Sequence, residues 1–505
     1  MLAALSPILG FTRPAFDWHA LAPEIILAAT ITVLLVVDVF SDEKSKWTAS
    51  SIAGIGLLAA LIPVLSMAVD GTDRVLFGGA YVVDDFALVL KGLFLVAGYI
   101  TVLLSTNYIA EGDYWEGEYY LLVLSSVLGM TIMASSRDLI TIFIALETLS
   151  IPAYLLAGFR KRDLKGNEAG LKYYLIGVFA TGVMLYGMSL VYGASGSTLL
   201  ADIGSAVDGS FGDQPVVALG IVFTLVGFGF KVSAVPFQNW APDTYEGAPT
   251  PITAFLSVAS KAAGFVAILQ LVFIGFLGRS DIVGPMMWVL AALTMTVGNV
   301  IALRQTNIVR LFAYSSVAQA GFILAPLAVV SSAPGDAGIN KDVLTAVIAY
   351  LLIYSIVNLG AFAVIIAVSR KTRSGEISSW AGLWEYAPAL AVSMAMFLFA
   401  LAGIPPLIGW FAKFQVFYAL VTPGTTAGYV LAVVVGVNSV IALYYYANVA
   451  RTMFMDEAPD GDRAPIRVPV PLVAAVTLSV IATVVIGFAP GIVGDLAEHA
   501  TFALR

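Results

Sequence analysis

The chain has 505 residues, of which 60% are hydrophobic and only 11% charged, and its mean hydropathy is +0.93. Soluble domains run at roughly a quarter charged residues, so an ordinary soluble enzyme is excluded. With no cysteines, and with its two histidines, His19 and His499, near the termini, the chain lacks ligands for a disulfide scaffold, an iron–sulfur cluster, a haem or a zinc core. A formal charge of −8 argues against nucleic acid as a partner.

What remains is an all-α polytopic membrane protein with no metal or cofactor of its own. The apolar residues come in blocks of about twenty, the length that crosses hydrocarbon. In chain order they predict about fourteen transmembrane helices, near 20–40, 50–69, 84–105, 119–135, 138–158, 170–194, 216–237, 252–276, 285–303, 308–330, 343–369, 385–420, 427–450 and 470–489. The first block reads as a span rather than a cleaved signal, because Asp17 and Glu24 stand where a signal peptide carries basic residues. The block 385–420 is too long for one straight span and contains Gly403-Ile404-Pro405-Pro406, so it reads as a broken helix.

With an even number of spans both termini share a side. One set of loops holds Lys44, Lys46, Arg160, Lys161, Arg162, Lys165, Arg304, Arg310, Arg370, Lys371, Arg373, Arg451, Arg463 and Arg467. The opposite set holds Arg13, Arg74, Arg137, Arg279, Lys341 and Arg505. The excess of basic residues marks the first set as cytoplasmic and puts both termini outside.

Five lysines fall inside predicted spans: Lys91, Lys172, Lys231, Lys261 and Lys413. A charge at mid-helix costs roughly 2.5–3.5 kcal/mol, so each is a functional candidate by default. Lys172 lies two residues into its span beside a basic loop and can snorkel to the interface. Lys91, two turns after Asp84, is placed to reach an acidic cluster at the outer surface. Lys231, Lys261 and Lys413 are too deep for that, and one acidic residue, Glu147, has similar depth. Three lysines against one glutamate leave charges unmatched, and an uncompensated buried ammonium tends to give up its proton. Groups able to be charged or neutral within the membrane are what a proton relay needs.

Helix breaks support this. Lys231 precedes Pro236 and the polar run 238–247, and Lys413 follows Pro405 and Pro406. Unwound backbone at membrane depth is tolerated only when buried in protein or lining a hydrated cavity. Two such breaks, one per half, mark an inverted-repeat transporter with its site near the midplane. Polar residues fill the gaps. Ser257 and Lys261 share a face at i, i+4, as do Ser315 and Gln319, and Tyr350, Tyr354 and Asn358 follow over two turns. Asn438 adds another. Singly such residues glue helices together; jointly they form a lateral polar line able to carry protons through water.

The stretch from Lys231 through Val235-Pro236-Phe237-Gln238-Asn239-Trp240-Ala241-Pro242-Asp243-Thr244-Tyr245-Glu246-Gly247-Ala248-Pro249-Thr250-Pro251 to Ser260-Lys261-Ala262-Ala263-Gly264-Phe265 resembles the antiporter-like membrane subunits of bacterial proton-pumping NADH:quinone oxidoreductase, complex I, and among them the subunit N family. The run Leu401-Ala402-Gly403-Ile404-Pro405-Pro406 with Phe411-Ala412-Lys413-Phe414, and Gln305-Thr306-Asn307-Ile308-Val309-Arg310 with Ala313-Tyr314-Ser315-Ser316, fit as well. The similarity covers about 119–450. The resemblance implies N-terminal helices over 1–118, two inverted five-helix repeats over 119–276 and 277–452, each with a broken helix, and a final helix in 453–505. It implies that Glu147 pairs with Lys231 and tunes its proton affinity, that Lys261 connects, and that Lys413 lies beside an exit path. Many relatives carry a histidine where Gln319 stands, so that step here runs through water. NADH, flavin, iron–sulfur clusters and quinone are expected in partner subunits, packed laterally in the bacterial cytoplasmic membrane. The same motifs also fit a subunit of a multisubunit Na+/H+ antiporter or of a membrane-bound hydrogenase-type complex.

Overall fold

A computed structural model describes residues 16–40, 47–112, 116–209, 212–333, 335–458, 463–500 and 502. Arg13, Lys44, Lys46 and Arg505 of the two basic sets therefore lie outside the described residues.

The chain is helical nearly throughout. In order, the helices are α1 Ala22–Phe40, α2 Thr48–Asp70, α3 Asp85–Ala110, α4 Glu116–Ser135, α5 Leu139–Ala157, α6 Leu164–Ser195, α7 Leu200–Val207, α8 Pro215–Lys231 and α9 Trp240–Gly247. They continue with α10 Thr250–Gly275, then α11 Ser280–Ala302, α12 Ile308–Leu324, α13 Ala337–Thr372, α14 Pro388–Ala402, α15 Gly409–Val421, α16 Thr426–Met455, α17 Val470–Phe488 and α18 Gly491–His499. Short 3-10 turns and the one-turn helix Leu383–Tyr386 fill the connections. Side chains close several helix starts, as an orphan set of N–H groups requires. Asp84 accepts from Ala87 N, Asp138 from Ile140 N and Thr141 N, Asp163 from Lys165 N, and Asn307 from Val309 N and Arg310 N.

Twelve helices are long and apolar enough to cross a membrane among the described residues, and α8 and α14 are shorter apolar helices. The expected spans match these elements closely, with two differences. The span at 216–237 ends at Lys231, and the broken span 385–420 divides into α14 and α15. Pro236, Pro405 and Pro406 thus lie in unwound connections between half-helices, not inside kinked ones. Ser233, at φ +61, and Gly403, at φ +91, turn the chain there. A two-stranded antiparallel ribbon, β1 Arg74–Leu76 and β2 Tyr81–Val83, also joins α2 to α3; turn-rich polar residues between two long apolar blocks gave it no sequence signal.

Burial orders the bundle. α10 is buried except at Thr250 and Ile274 and α13 is buried along most of its length, whereas α1, α6, α16 and α17 keep most of their surface outward. A helix apolar all round belongs in an interior, and α10 carries Lys261 there. Loops of the first basic set meet on one face: Arg370 pairs with Glu111 at 2.8 Å, Lys161 with Glu118 at 3.1 Å and Arg463 with Glu385 at 2.6 Å. On the opposite face Arg74 pairs with Asp17 at 2.8 Å and Lys341 with Glu498 at 2.7 Å.

Candidate functional site

Lys231 is the last residue of α8, where the partial negative charge of a helix C-terminus favours an ammonium. Its Nζ donates to Ser150 Oγ of α5 at 2.9 Å and to Tyr173 OH of α6 at 3.2 Å. The rings of Tyr173 and Tyr154 stand 5.6 and 6.0 Å away, at the edge of cation–π range. Trp240 of α9 stacks on Tyr173 at 4.4 Å and donates to Phe230 O at 3.1 Å, which ties the second half-helix back across the break. A Cβ at Gly264 of α10 would come 3.1 Å from Lys231 Cγ, so glycine lets the central helix lie against the lysine stem.

Glu147 makes no direct ion pair with Lys231. It accepts from Thr181 Oγ1 of α6 at 3.1 Å and stands half-buried on α5 between the outward-facing Ile144 and Ile151. The expected pair is therefore open: the lysine rests on Ser150, three residues further along the same face of α5. Two hydroxyls satisfy its donors where α8 ends, while Thr181 holds the carboxylate toward α6.

Lys261 donates to Ser316 O at 2.7 Å and to Ser316 Oγ, both on α12. Ser257, expected on the face of Lys261, is turned instead to Asn358, whose Nδ2 donates to its Oγ at 2.8 Å. The cause is local. Residues Leu256–Ser260 form a π-helical turn just before Lys261, and its wider winding rotates positions four apart away from each other.

Ser315 and Gln319 do share a face, and both meet Tyr446 of α16. Gln319 Nε2 also donates to Leu401 O at 3.3 Å, and its Oε1 accepts from Tyr350 OH. The hydroxyl of Tyr354 is buried with no hydrogen-bond partner in the protein. Gln319, Tyr350 and Tyr354 line a small cavity that reaches Ala400, Leu401, Gly409 and Ala412 at the second break, with room on the order of one water. Asn438 lies off this line. It accepts from Asn299 at 3.1 Å and donates to Thr296 at 3.2 Å, binding α16 to α11.

Lys413 of α15 donates to Ala402 O at 2.7 Å, a carbonyl freed where α14 stops, and lies 4.8 Å from the Phe322 ring centroid. Gly403 is required here twice over. Its φ of +91 is left-handed, and a Cβ would stand 2.7 Å from Lys413 Cδ.

The other two lysines divide differently. Lys172 reaches the surface, as expected, and pairs with Glu168 and Asp243 at 2.6 Å each. Asp243 and Glu246 on α9 also hold Arg310 of α12, at 2.9 and 2.8 Å. Lys91 reaches one acidic residue rather than a cluster. It is fully buried against Glu24, 3.0 Å away, and donates to Tyr81 OH at 2.8 Å, while Asp84 is taken by Arg137 at 2.8 Å. Ser150, Tyr173, Ser316 and Tyr446 are the contacts that sequence reasoning missed. Lone hydroxyls in apolar windows have no period, although Ser150 at i+3 from Glu147 was a usable sign.

Among the described residues no group of three or more His, Asp or Glu is arranged to hold a metal. Residues 136–441 match the family described as NADH:quinone oxidoreductase/Mrp antiporter, transmembrane. NADH-quinone oxidoreductase subunit N of Trichlorobacter lovleyi is 40% identical over 95% of this chain and 96% of that protein. The subunit N of Chloroflexus aggregans is 39% identical over 98% and 99%. Among solved structures, a chain of respiratory complex I from Thermus thermophilus with bound aureothin superposes with a TM-score of 0.77 at 31% identity, covering 94% of this chain and 99% of that one. A chain of the Mrp complex of a Dietzia species reaches 0.83 at 21% identity over 96% and 97%, which shows the shared fold. With near-complete coverage at this identity, the chain belongs to the antiporter-like membrane subunits of NADH:quinone oxidoreductase, in the subunit N family.

Proposed function

We propose that this chain carries protons across the membrane through Glu147, Lys231, Lys261 and Lys413, driven by quinone reduction in partner subunits. One observation carries the reading: three buried lysines on successive half-helices and the central helix, each held by hydroxyls or carbonyls and none by a carboxylate. An ammonium in an apolar interior with no counter-charge has a neutral form within reach. Weakening or restoring the attraction of Glu147 for Lys231, by moving the ammonium between Ser150 and the carboxylate, shifts the proton on toward Ser316 and Lys261. From there Gln319, Tyr350 and Tyr354, with Ser257, Ser315 and Asn358 around them, lead to Lys413. Gln319 takes no proton itself, so a water in the cavity beside it completes that step. No redox chemistry and no cofactor site belong to this chain in the reading; NADH, flavin, iron–sulfur clusters and quinone belong to its partners.

In the same reading each broken pair, α8 with α9 and α14 with α15, completes one crossing, which gives fourteen. Residues 119–276 and 277–452 form the inverted repeats, flanked by 1–118 and 453–505. The basic loops face the cytoplasm, both termini lie outside, and other membrane subunits pack along the outward helices in the bacterial inner membrane.

Lys231→Met in the assembled complex is expected to cut NADH-driven proton pumping and coupled turnover while the complex still purifies whole. Normal pumping from that variant sinks the assignment. A tagged chain that purifies without flavin and quinone reductase activity, but shows sodium-dependent exchange, moves it to the stand-alone antiporters.

A further inference from the structure

One buried charge pair takes no part in the path above. Lys91, in α3, has no exposed side-chain surface, and Glu24, in the first turn of α1, has 10%. One end of the pair keeps a little exposed surface and the other is sealed inside. The neighbouring pair shows what a purely structural bridge looks like in this protein. Asp84 accepts from Ala87 N at 2.9 Å as well as from Arg137, and Arg137 also donates to Ala134 O and Ser136 O at 3.2 and 3.0 Å. Glu24 has less support: no backbone N–H and no arginine donates to its oxygens, which lack a well-formed hydrogen bond. A buried pair offsets its desolvation only when its remaining lone pairs are satisfied, so here the neutral carboxylic acid and amine compete with the ions.

The pair also has an inward connection. Tyr81, bonded to Lys91, bridges to Ser136 and so lies beside Ser135, whose hydroxyl is buried without a partner. Gln270 of α10, nine residues beyond Lys261 on the same helix, donates to Met133 O and Ala134 O at 2.9 and 3.0 Å and leaves its Oε1 unpartnered. Unpartnered buried polar atoms are where folded proteins hold ordered water. They run from the Lys261 helix to the pair.

We propose that Glu24 and Lys91 form a second proton-exchange site, with Tyr81 as its inner hydroxyl, between the central helix and the aqueous face at the start of α1. The inference rests on the proton-path reading. In the step, an N–H bond of the Lys91 ammonium breaks and an O–H bond forms on Glu24, leaving amine and acid. Glu24 then releases the proton to surface water, and the amine takes the next one through Tyr81 from water at Ser135 and Gln270. No electron moves. The other ionisable groups around it are occupied: Asp84 with Arg137, Asp17 with Arg74, and His19 with Ser66 Oγ at 2.8 Å.

The test is the ratio of protons pumped to NADH oxidised in the complete complex reconstituted in vesicles. The double variant Glu24→Gln/Lys91→Met leaves no orphaned charge, and Tyr81→Phe removes only the hydroxyl. At least a twofold fall in the ratio is expected from each. A wild-type ratio from either variant in an assembled complex overturns the site, whatever happens to thermal stability, and if the double variant does not assemble, Tyr81→Phe decides alone. Lys231→Met run in parallel separates the two readings. If it pumps normally, the path itself fails; if it is impaired while the double variant is normal, only this site fails.

Discussion

Gly403→Ala probes the second break through Lys413 without touching a charge. A left-handed φ of +91 costs a residue with a Cβ about 1–2 kcal/mol, and that term falls on the stability of the break. The new Cβ, 2.7 Å from Lys413 Cδ, then forces the lysine off its rotamer, at about 0.5–1.5 kcal/mol. In moving, Nζ loses its 2.7 Å bond to Ala402 O, and a bond from a charged donor contributes about 1.5–3 kcal/mol. The last two terms act on where the ammonium sits and together come to about 2–4.5 kcal/mol. At roughly 1.4 kcal/mol per factor of ten, the population of correctly placed Lys413 falls at least tenfold. Proton uptake into inverted membrane vesicles, followed with a pH-sensitive dye and normalised to NADH oxidised, should fall by about the same factor. Gly182→Ala is the control, because nothing lies within 4 Å of a Cβ there and alanine is the better helix former. A Gly403→Ala complex that assembles and pumps at the wild-type ratio refutes the argument that Lys413 works from that carbonyl.

Ser316→Ala removes one of the two Ser316 acceptors of Lys261 and keeps the backbone carbonyl at 2.7 Å, so pumping in the same vesicle assay should fall by about two- to tenfold with assembly intact. Asp243→Asn should lower the melting temperature of the complex modestly, because the Lys172 and Arg310 bridges are partly exposed and such pairs contribute about 1 kcal/mol or less. Burial pushes the Asp243 carboxyl up, but the bonds from Lys172 and Arg310 outweigh it and hold it below the usual carboxylate value. A depressed carboxyl stabilises the fold above its ordinary range and loses that effect as pH falls through its lowered value. The melting difference between wild type and Asp243→Asn should therefore be full near neutrality and shrink below about pH 4; a difference that grows in acid contradicts the assignment.

Much of this was legible in the residues. Long apolar blocks found the membrane-length helices to within about two turns but not the short α7, α9 and α18, since a long buried or lipid-facing helix needs only length and apolarity. The depth of Lys231, Lys261 and Lys413 was legible for the same reason. What failed depended on helix geometry that composition does not record. The π turn before Lys261 exchanged Ser257 for Ser316, and the stop at Lys231 put Ser150 rather than Glu147 under the ammonium. The partner of Lys91 was not legible because Glu24 lies 67 positions earlier on another helix, a distance that no local pattern spans.

The partners of the three lysines explain why this bundle tolerates them. A carboxylate with its other lone pairs satisfied, set against each, would form a buried ion pair that is strongly destabilising to break, and such a pair holds its proton. Ser150, Tyr173 and Ser316 present hydroxyls instead, and a hydroxyl accepts from an ammonium or donates to an amine with equal ease. The backbone breaks add carbonyls, such as Ala402 O, that in a continuous helix are committed to the next turn. The bundle thus supports its lysines with groups that serve either protonation state. Glu147, three residues before Ser150 on α5, is itself only half-buried. In the proposed path, moving the Lys231 ammonium between Ser150 and Glu147 is then a change of partner at one residue of the row, and it breaks no ion pair of Lys261 or Lys413.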